Sequence, residues 1–463
     1  MLYLCLHPQA FSHEQITVRF ATFNTSLYRD SPGQLKKDLS TGSNKQAQRI
    51  ADVIQRVQPD VLLINEFFHR IVNLAGTCHT AWFVPFFSLT TVNEAEMKAI
   101  AVTPGKPNSV HLEDIPKPSV TDIPDGRGVL VRVLKVGVDA TDREINDALY
   151  GKAPPGCDYL VLGHESFGVV EQVGPNVRGF KPGDYVTATV RRPGGSIYDQ
   201  IGTYDMTSEE VYFERGINLL HGYLSEYFVE SPEYIVKVPP GLKHLHVLME
   251  PMSCAAKAVQ QAYEVQRRMK VWRPQVAYIM GAGQIGLLAT LVLKLRGLDV
   301  YTLARSEPPT RNSQIVEGLE ASYVCTTETP LEELTERVGK ADLIVDATGS
   351  SAMAFQAMRA LGHNGVLVWT SLTSGNTGTE VPTDQINIDW VLGNKLLLGS
   401  VNANREHFEA GIKDMALGEV MFPGVIENIL TNPVDGLDNH MEMMRLLVEE
   451  KTALKVYVNV ADE

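Results

Sequence analysis

Cysteine is scarce in this chain of 463 residues, which has five cysteines and no C-x-x-C pair. That spacing argues against a disulfide framework and a cysteine-rich metal knuckle, and it favours the reducing cytoplasm as the location. No apolar run reaches the roughly 18 residues that a membrane-spanning helix needs, and the first residues lack the basic region of a signal peptide. A net charge of −14 argues against nucleic-acid and anionic-membrane partners, because both would repel the chain.

The pattern of apolar runs predicts two kinds of domain after residue 96. From 97 to 254, short apolar runs such as GVLVRVLKVGV (128–138) alternate with Gly/Pro turns, which predicts a small barrel-like β domain. From 255 to 402, strand-like and helix-like runs alternate, which predicts a parallel sheet with helices on both faces. Residues 403–463 begin with a helix-like run and end in a strand, and we expect them to return to the β domain.

The first 96 residues follow a different pattern. Strand-like runs at 16–27 and 59–67 flank a helix-like run at 44–58. This stretch resembles the start of the endonuclease/exonuclease/phosphatase superfamily, in which Asn24 and Glu66 would help to hold a divalent cation. The remaining metal-binding motifs of that superfamily are absent downstream. We therefore interpret 1–96 as a truncated, non-functional fragment, from a gene fusion or an early start codon, and keep metal-dependent phosphodiester hydrolysis only as an alternative.

A glycine-rich turn predicts a dinucleotide site. The sequence YIMGAGQIG (278–286) places Gly281, Gly283 and Gly286 in G-x-G-x-x-G spacing, between a strand and an apolar helix. This context lets the pyrophosphate approach the backbone at the helix N-terminus. The alternative is a glycine-rich packing turn. The expected cofactor contacts are Gly281, Gly283, Gln284, Ile285, Gly286, Thr348, Ser371, Leu372, Thr373, Ser400, Val401 and Asn402, because ligands bind at strand carboxyl ends in such sheets.

The end of the second strand of this domain favours NADP over NAD. DVYTLARS ends in Arg305 and Ser306, where NAD enzymes commonly carry an acidic residue. An arginine there would pair with a 2′-phosphate. Arg305 could instead be solvated, and nearby Glu307 leaves NAD open as a second cofactor.

Three separate segments supply candidate metal ligands. VGVDATD (136–142) ends a strand at Asp139, LGHESFGVV (162–170) contains His164 and Glu165, and HVLMEPMSC (246–254) contains Glu250. Each has a structural alternative: Thr141 and Glu144 fit a capping box at a helix start, and a histidine between apolar runs is ordinarily a core residue.

Taken together, these segments resemble the catalytic zinc site of medium-chain dehydrogenases/reductases, and the resemblance covers nearly all of 97–463. It implies an α/β fold with a GroES-like β-rich catalytic domain and a Rossmann doubly wound parallel sheet. Asp139 stands where alcohol dehydrogenases carry a zinc cysteinate. With VRRP (190–193), YFERG (212–216), HGYLSE (221–226) and GSVN (399–402), it makes the chain most similar to the glucose dehydrogenases of that family.

The resemblance implies a role for each matching residue. Asp139, His164, Glu165 and Glu250 would hold one zinc ion, and Thr141 would contact substrate and relay its proton. Glu250, Glu214 and Asn402 would bind the sugar. Two alternatives stay open: Glu214 could be solvated, and Asn402 could cap the helix that begins near Arg405.

One departure concerns the lobe that carries a second, structural zinc in many relatives. Residues 190–215 contain no cysteine, so we expect no structural zinc. We expect aromatic packing of Tyr198, Tyr204 and Tyr212 to order this lobe instead.

The resemblance implies zinc-dependent oxidation of an aldose at C1 to the lactone, with hydride transfer to NADP⁺. The expected aldose is D-glucose. A polyol or secondary-alcohol dehydrogenase is the nearest alternative. A non-catalytic NADP-binding, quinone-reductase-like relative is opposed by the intact ligand residues. The expected assembly is a homodimer or homotetramer.

Overall fold

The computed structural model describes residues 20–24, 61–65, 96–373, 376–450 and 452–462. The chain divides into two units, Met1–Thr90 and Thr91–Glu463. In the first unit, strands β1 (Phe20–Asn24) and β2 (Val61–Asn65) pair in parallel. The helix expected over 44–58, and Glu66, lie outside the described residues.

The second unit contains strands and helices in both halves. Its strands are β3 (Glu96–Val102), β4 (His111–Pro116), β5 (Val129–Val138), β6 (Leu160–Val161), β7 (Glu165–Val173), β8 (Tyr185–Ala188), β9 (Arg191–Arg192), β10 (Phe213–Arg215), β11 (Leu219–Leu220), β12 (Tyr227–Glu230), β13 (Ile235–Lys237), β14 (Val276–Met280), β15 (Asp299–Ala304), β16 (Ser322–Cys325), β17 (Ala341–Asp346), β18 (Leu361–Trp369), β19 (Leu396–Gly399), β20 (Asn432–Asp435) and β21 (Val456–Asn459). Its α-helices are α1 (Ala140–Asn146), α2 (Ile197–Gln200), α3 (Met249–Val265), α4 (Gln284–Leu295), α5 (Arg311–Gly318), α6 (Leu331–Val338), α7 (Ser351–Ala360), α8 (Thr383–Gly393), α9 (Arg405–Met421) and α10 (His440–Glu449).

A largely antiparallel sheet organises the β-rich half in the order β13-β8-β7-β5-β21-β20, with β12 also paired to β5. Strand β5 is almost continuously buried, because its VLVRVLKVGV run is apolar on both faces. The same half contains two smaller sheets, β4-β3-β6 and β11-β10-β9. Strand β21, near the end of the chain, pairs antiparallel with β5.

The other half is a six-stranded sheet in the order β16-β15-β14-β17-β18-β19, in which every pair of neighbours is parallel. Alternate residues of β14 enter different hydrophobic cores: Ile279 packs in one core, and Tyr278 and Met280 in the other. Both faces of the sheet are therefore covered, which confirms the doubly wound α/β prediction.

Three element ends position the candidate site. Strand β5 stops immediately before Asp139, strand β7 starts at Glu165, and helix α3 starts at Met249, one residue before Glu250. In the part of the chain that the structure describes, we find no helix with the length and apolar character needed to cross a bilayer.

Candidate active site

The pairing of β5 with β7 brings the first candidate ligands together. Gly137 lies opposite Glu165 in the antiparallel register. Each of Asp139, His164 and Glu165 offers a ligand atom, and the three atoms lie within 4.8 Å of one another. A Cβ on Gly137 would lie 2.0 Å from Glu165 Oε2, so only glycine leaves room for this carboxylate.

Asp139 uses its two carboxylate oxygens differently. The backbone N–H of Thr141 donates to Oδ1 at 2.7 Å, and Oδ2 faces His164 Nε2 at 4.0 Å. A capping box is present, but its assignment to Thr141 and Glu144 is wrong. Helix α1 begins at Ala140, so the box consists of Asp139 at the N-cap and Asp142 three residues later. Capping and metal binding therefore do not compete for the same oxygen.

Asp142, which the sequence reading did not select, links two of the ligand segments. Its carboxylate is fully buried and accepts from Asp139 N–H at 3.1 Å and Gly163 N–H at 3.0 Å. It therefore holds the end of β5 against the residue that precedes His164. The only sequence signal was its place at the third helical position.

Lys455 is a second missed neighbour. Its ammonium contacts Glu165 Oε2 and donates to the carbonyl of Val138 at 3.3 Å, and both side chains of the ion pair are fully buried. Lysine at the entry to a terminal apolar strand is unremarkable in sequence. Only the pairing of β21 with β5 shows that it reaches the site.

The electrostatics of the cluster reflect crowded carboxylates in a place with little water. Burial raises the pKa of Glu165 to about 8, against the lowering effect of Lys455. Burial also raises the pKa of Glu250. For His164, burial lowers the pKa, but Asp139 and the neighbouring carboxylates outweigh it and raise the pKa to about 9. The site is therefore built to stabilise positive charge.

Glu250 approaches from the start of α3 and lies outside the group of three ligand atoms. The thiol of Cys254, one turn later on the same helix, donates to Glu250 Oε1 at 3.4 Å. Glu250 and Cys254 both line the cavity that contains Asp139 and His164.

That cavity, of about 520 Å³, joins the ligand cluster to the parallel sheet. Of the residues predicted from the sequence, it is lined by Asp139, Thr141, His164, Glu214, Glu250, Gln284, Ile285, Thr348, Ser371, Leu372, Ser400, Val401 and Asn402. It is not lined by Glu165, Gly281, Gly283, Gly286, Arg305, Ser306 or Thr373. Tyr150 and Arg191 also line it and were not selected from the sequence.

Glu214 and Asn402 form a pair on one wall. Arg191 donates to Glu214 Oε1 through Nε at 3.0 Å and Nη2 at 2.6 Å, and Asn402 Nδ2 donates to the same oxygen at 2.7 Å. Both open alternatives are wrong: Glu214 is buried, and Asn404, not Asn402, caps helix α9. Asn402 has φ +58, a left-handed conformation that is uncommon outside glycine.

Each of the three glycines in the glycine-rich turn has a different steric role. Gly281 has φ +102, which suits the tight turn. A Cβ on Gly286 would lie 1.9 Å from the carbonyl oxygen of Gly281, so helix and strand could not pack. Gly283 precedes helix α4, and a Cβ there would meet nothing within 4 Å. The backbone at Gly283 thus faces the open space that a pyrophosphate would need.

The end of β15 places Arg305 and Ser306 beyond the sheet, where both are exposed. Their backbone is held from β16, because the thiol of Cys325 donates to the Arg305 carbonyl at 3.5 Å and the Tyr323 hydroxyl to the Ser306 carbonyl at 2.7 Å.

The lobe after β9 is held by polar as well as aromatic contacts. Tyr204 packs edge-on against Tyr234, and Tyr212 lies 5.0 Å from the Arg191 guanidinium, but Tyr198 is exposed, so the aromatic prediction fails for it.

A carboxylate supplies much of the polar order in that lobe. Asp199 Oδ2 accepts from the hydroxyls of Ser196 at 2.6 Å and Thr207 at 2.7 Å.

Comparison with known proteins follows the same two halves. The family model described as "Alcohol dehydrogenase GroES-like domain" matches residues 125–240, and "Glucose dehydrogenase C-terminus" matches residues 243–458. A glucose 1-dehydrogenase of Methanocella arvoryzae is 42% identical over 361 residues, which are 76% of this chain and 99% of that protein. The glucose 1-dehydrogenase of Haloferax mediterranei is 40% identical over 320 residues, which are 68% of this chain and 87% of that protein.

A solved structure agrees. The Haloferax mediterranei glucose dehydrogenase in complex with NADP, Zn and gluconolactone superimposes with a TM-score of 0.70 at 35% identity, covering 79% of this chain and all of that one. The fold and the matching family model identify the chain as a zinc-dependent oxidoreductase of the medium-chain dehydrogenase/reductase class. Within that class, the chain belongs to the glucose dehydrogenase family. Neither model extends before residue 125, so the endonuclease/exonuclease/phosphatase resemblance gains no support.

Proposed function

We propose that this chain oxidises an aldose, with D-glucose as the preferred substrate, at C1 to the lactone and reduces NADP⁺. The observation that carries the proposal is one cavity that is lined by Asp139, His164 and Glu250, by the hydrogen-bonded Glu214–Asn402 pair and by the carboxyl ends of the parallel strands. The named glucose dehydrogenases among the relatives support the substrate class.

We assign one zinc ion to Asp139, His164, Glu165 and Glu250. The donor set fits, because zinc accepts imidazole nitrogen and carboxylate oxygen together. Glu165 Oε1 and His164 Nδ1 are buried without a hydrogen-bond partner, as expected of groups whose charge or orientation a bound cation would satisfy. When bound, zinc supplies a Lewis acid that polarises the C1 hydroxyl.

The hydroxyl of Thr141 lines the cavity two residues after Asp139. We assign it the transfer of the proton from the C1 hydroxyl toward solvent. Tyr150 lines the same cavity, and burial raises the pKa of its phenol, which therefore stays neutral.

Glu214 and Asn402 orient the sugar. Oε1 of Glu214 already accepts from Arg191 and Asn402, so we assign Oε2 to a sugar hydroxyl. Arg191 pairs with this carboxylate at 2.6 Å and fixes its orientation in the cavity wall.

The carboxyl ends of the parallel strands would hold the nucleotide. Residues 281–286 would bind the pyrophosphate, Arg305 and Ser306 would bind the 2′-phosphate, and the ends of β17, β18 and β19 would bind the nicotinamide half. When bound, NADP⁺ accepts the hydride. Arg305 is exposed, so solvent weakens its attraction for the 2′-phosphate. We therefore expect the enzyme to prefer NADP⁺ and still to accept NAD⁺.

Purified protein tests the proposal directly. We expect about one zinc per chain by metal analysis and NADP⁺ reduction that is faster with aldoses than with polyols, with lactone as product. Faster oxidation of polyols would replace the aldose assignment with the alternative dehydrogenase. Activity that survives complete removal of zinc would contradict the metal assignment. The cytoplasmic location and the homodimeric or homotetrameric state stay predictions.

A further inference from the structure

Lys257 is a buried lysine that does not line the cavity, yet it contacts the loop that carries Asn402. We infer that Lys257 is a positioning residue that holds Asn402 in the conformation that bonds Glu214, and thereby sets the affinity for the sugar. The inference rests on the proposed aldose dehydrogenase function and deepens it.

The contacts of Lys257 are short and fully enclosed. Its Nζ lies 2.8 Å from Asp205 Oδ2, with only 1% and 2% of the two side chains exposed. The same Nζ donates to the carbonyl oxygen of Val401 at 2.8 Å. One ammonium therefore joins helix α3, the lobe after β9 and the loop after β19.

The helical period explains how Lys257 reaches this loop. Glu250, Cys254 and Lys257 stand at positions i, i+4 and i+7 of α3, on one face. The same face of α3 therefore presents Glu250 to the proposed zinc ligands and Lys257 to the loop that carries Asn402.

The Val401 carbonyl controls the next residue. Its direction fixes the plane of the Val401–Asn402 peptide and, with it, the left-handed φ of +58 at Asn402. In this conformation Asn402 Oδ1 accepts from Ala403 N–H at 2.8 Å while Nδ2 donates to Glu214 at 2.7 Å. Asparagine adopts this conformation more readily than other non-glycine residues, so the hydrogen bond from Lys257 to Val401 selects it without a large strain. Without Lys257, the peptide can rotate and the amide leaves Glu214.

Charge balance explains the role of Asp205. An uncompensated buried ammonium would be strongly unfavourable, and Asp205 provides the counter-charge from the lobe. An apolar side chain would fill the same space with less desolvation. What the lysine adds is a donor of fixed direction toward Val401.

The test compares two buried lysines. Lys395 is a matched control, because its side chain is fully buried and its Nζ contacts one carbonyl, that of Leu361, and one carboxylate, that of Asp389, both at 2.5 Å. It lies at the opposite end of β19 from residues 400–402. We expect Lys257→Met to raise the aldose KM about 10-fold, with zinc content retained and a smaller change in the KM for NADP⁺. Lys395→Met should leave the aldose KM within about 2-fold.

Coupling to Asn402 separates positioning from general destabilisation. Asn402→Ala should also raise the aldose KM, and adding Lys257→Met to it should change the KM by less than about 2-fold, because the two act through one contact. Calorimetric titration of the aldose into cofactor-free protein should show the same pattern without turnover. If Lys257→Met does not fold, Lys257→Met with Asp205→Asn removes the charge pair together and carries the same expectation.

Equal effects of Lys257→Met in the wild-type and Asn402→Ala backgrounds, or an unchanged aldose KM, would overturn the inference. A wild-type protein that oxidises no aldose would instead overturn the proposed function, and this outcome is visible before any variant is made.

Discussion

The metal side and the nucleotide side of the cavity are built by different means. On the nucleotide side, the decisive groups are backbone atoms of one contiguous turn, 281–286, whose glycines have distinct steric roles. On the metal side, they are side chains from three distant segments, supported by Asp142 and Lys455. A local motif therefore describes the first side almost completely, whereas the second depends on strand pairing. Four substitutions test this contrast.

Asp139→Asn should separate capping from metal binding. Asparagine caps a helix as well as aspartate does, so the thermal midpoint should change little. The negative charge that faces the metal is lost, and kcat should fall about 1,000-fold, or roughly 4 kcal/mol, together with zinc content. Asp139→Cys is the control, because it restores an anionic ligand and should retain zinc. Full zinc content and normal turnover in Asp139→Asn would leave Asp139 with the capping role alone.

Arg305→Ala should weaken NADP⁺ selectively. A charge-assisted hydrogen bond to phosphate contributes roughly 1.5–3 kcal/mol, so the KM for NADP⁺ should rise about 10- to 150-fold. The KM for NAD⁺, which lacks the 2′-phosphate, serves as the internal control. Equal losses with both cofactors would show that Arg305 does not read the phosphate.

Asp142→Asn should lower the affinity for zinc, although Asp142 is not one of the proposed zinc ligands. The two N–H groups bind different oxygens of Asp142, Oδ2 and Oδ1. In asparagine one of these positions becomes an NH2 group, which cannot accept, so the segments of Asp139 and His164 lose one link. Zinc affinity, measured by chelator competition, should fall about 10- to 100-fold. Unchanged affinity with a lowered thermal midpoint would reduce Asp142 to a purely structural residue.

Gly283→Ala should affect the cofactor and nothing else. Because the added methyl meets open space, the thermal midpoint should stay within error while the KM for NADP⁺ rises about 10-fold through a blocked pyrophosphate. Gly286→Ala is the contrasting variant, since its methyl collides with the Gly281 carbonyl and should lower stability as well. Similar stability losses in both variants would show that the whole turn is a packing element.

The same contrast explains how far the sequence could predict the site. The doubly wound sheet and the G-x-G-x-x-G turn follow from local sequence patterns. The convergence of Asp139, His164 and Glu165 was expected only from the resemblance to medium-chain dehydrogenases/reductases, because each of their segments also fits a structural role. The capping box was misplaced by two residues, because the helix boundary depends on where β5 ends.

Tertiary partners were beyond sequence reasoning. The two arginines of VRRP are adjacent in sequence, but Arg191 pairs with Glu214 in the cavity wall, whereas Arg192 pairs with Glu230 in the core. Nothing in their spacing distinguishes them. Likewise, Tyr198 was grouped with two packed tyrosines although it is exposed.

The pairing of β21 with β5 has a consequence for the order in which this enzyme matures. Lys455, which faces Glu165, and Val456, which pairs with Val138, come from the final residues described. During synthesis on the ribosome, residues 129–165 emerge long before the strand that completes their sheet. The metal side can therefore reach its final form only after residues 455–459 have left the ribosome. A nascent or prematurely terminated chain would carry this carboxylate cluster without its ammonium partner.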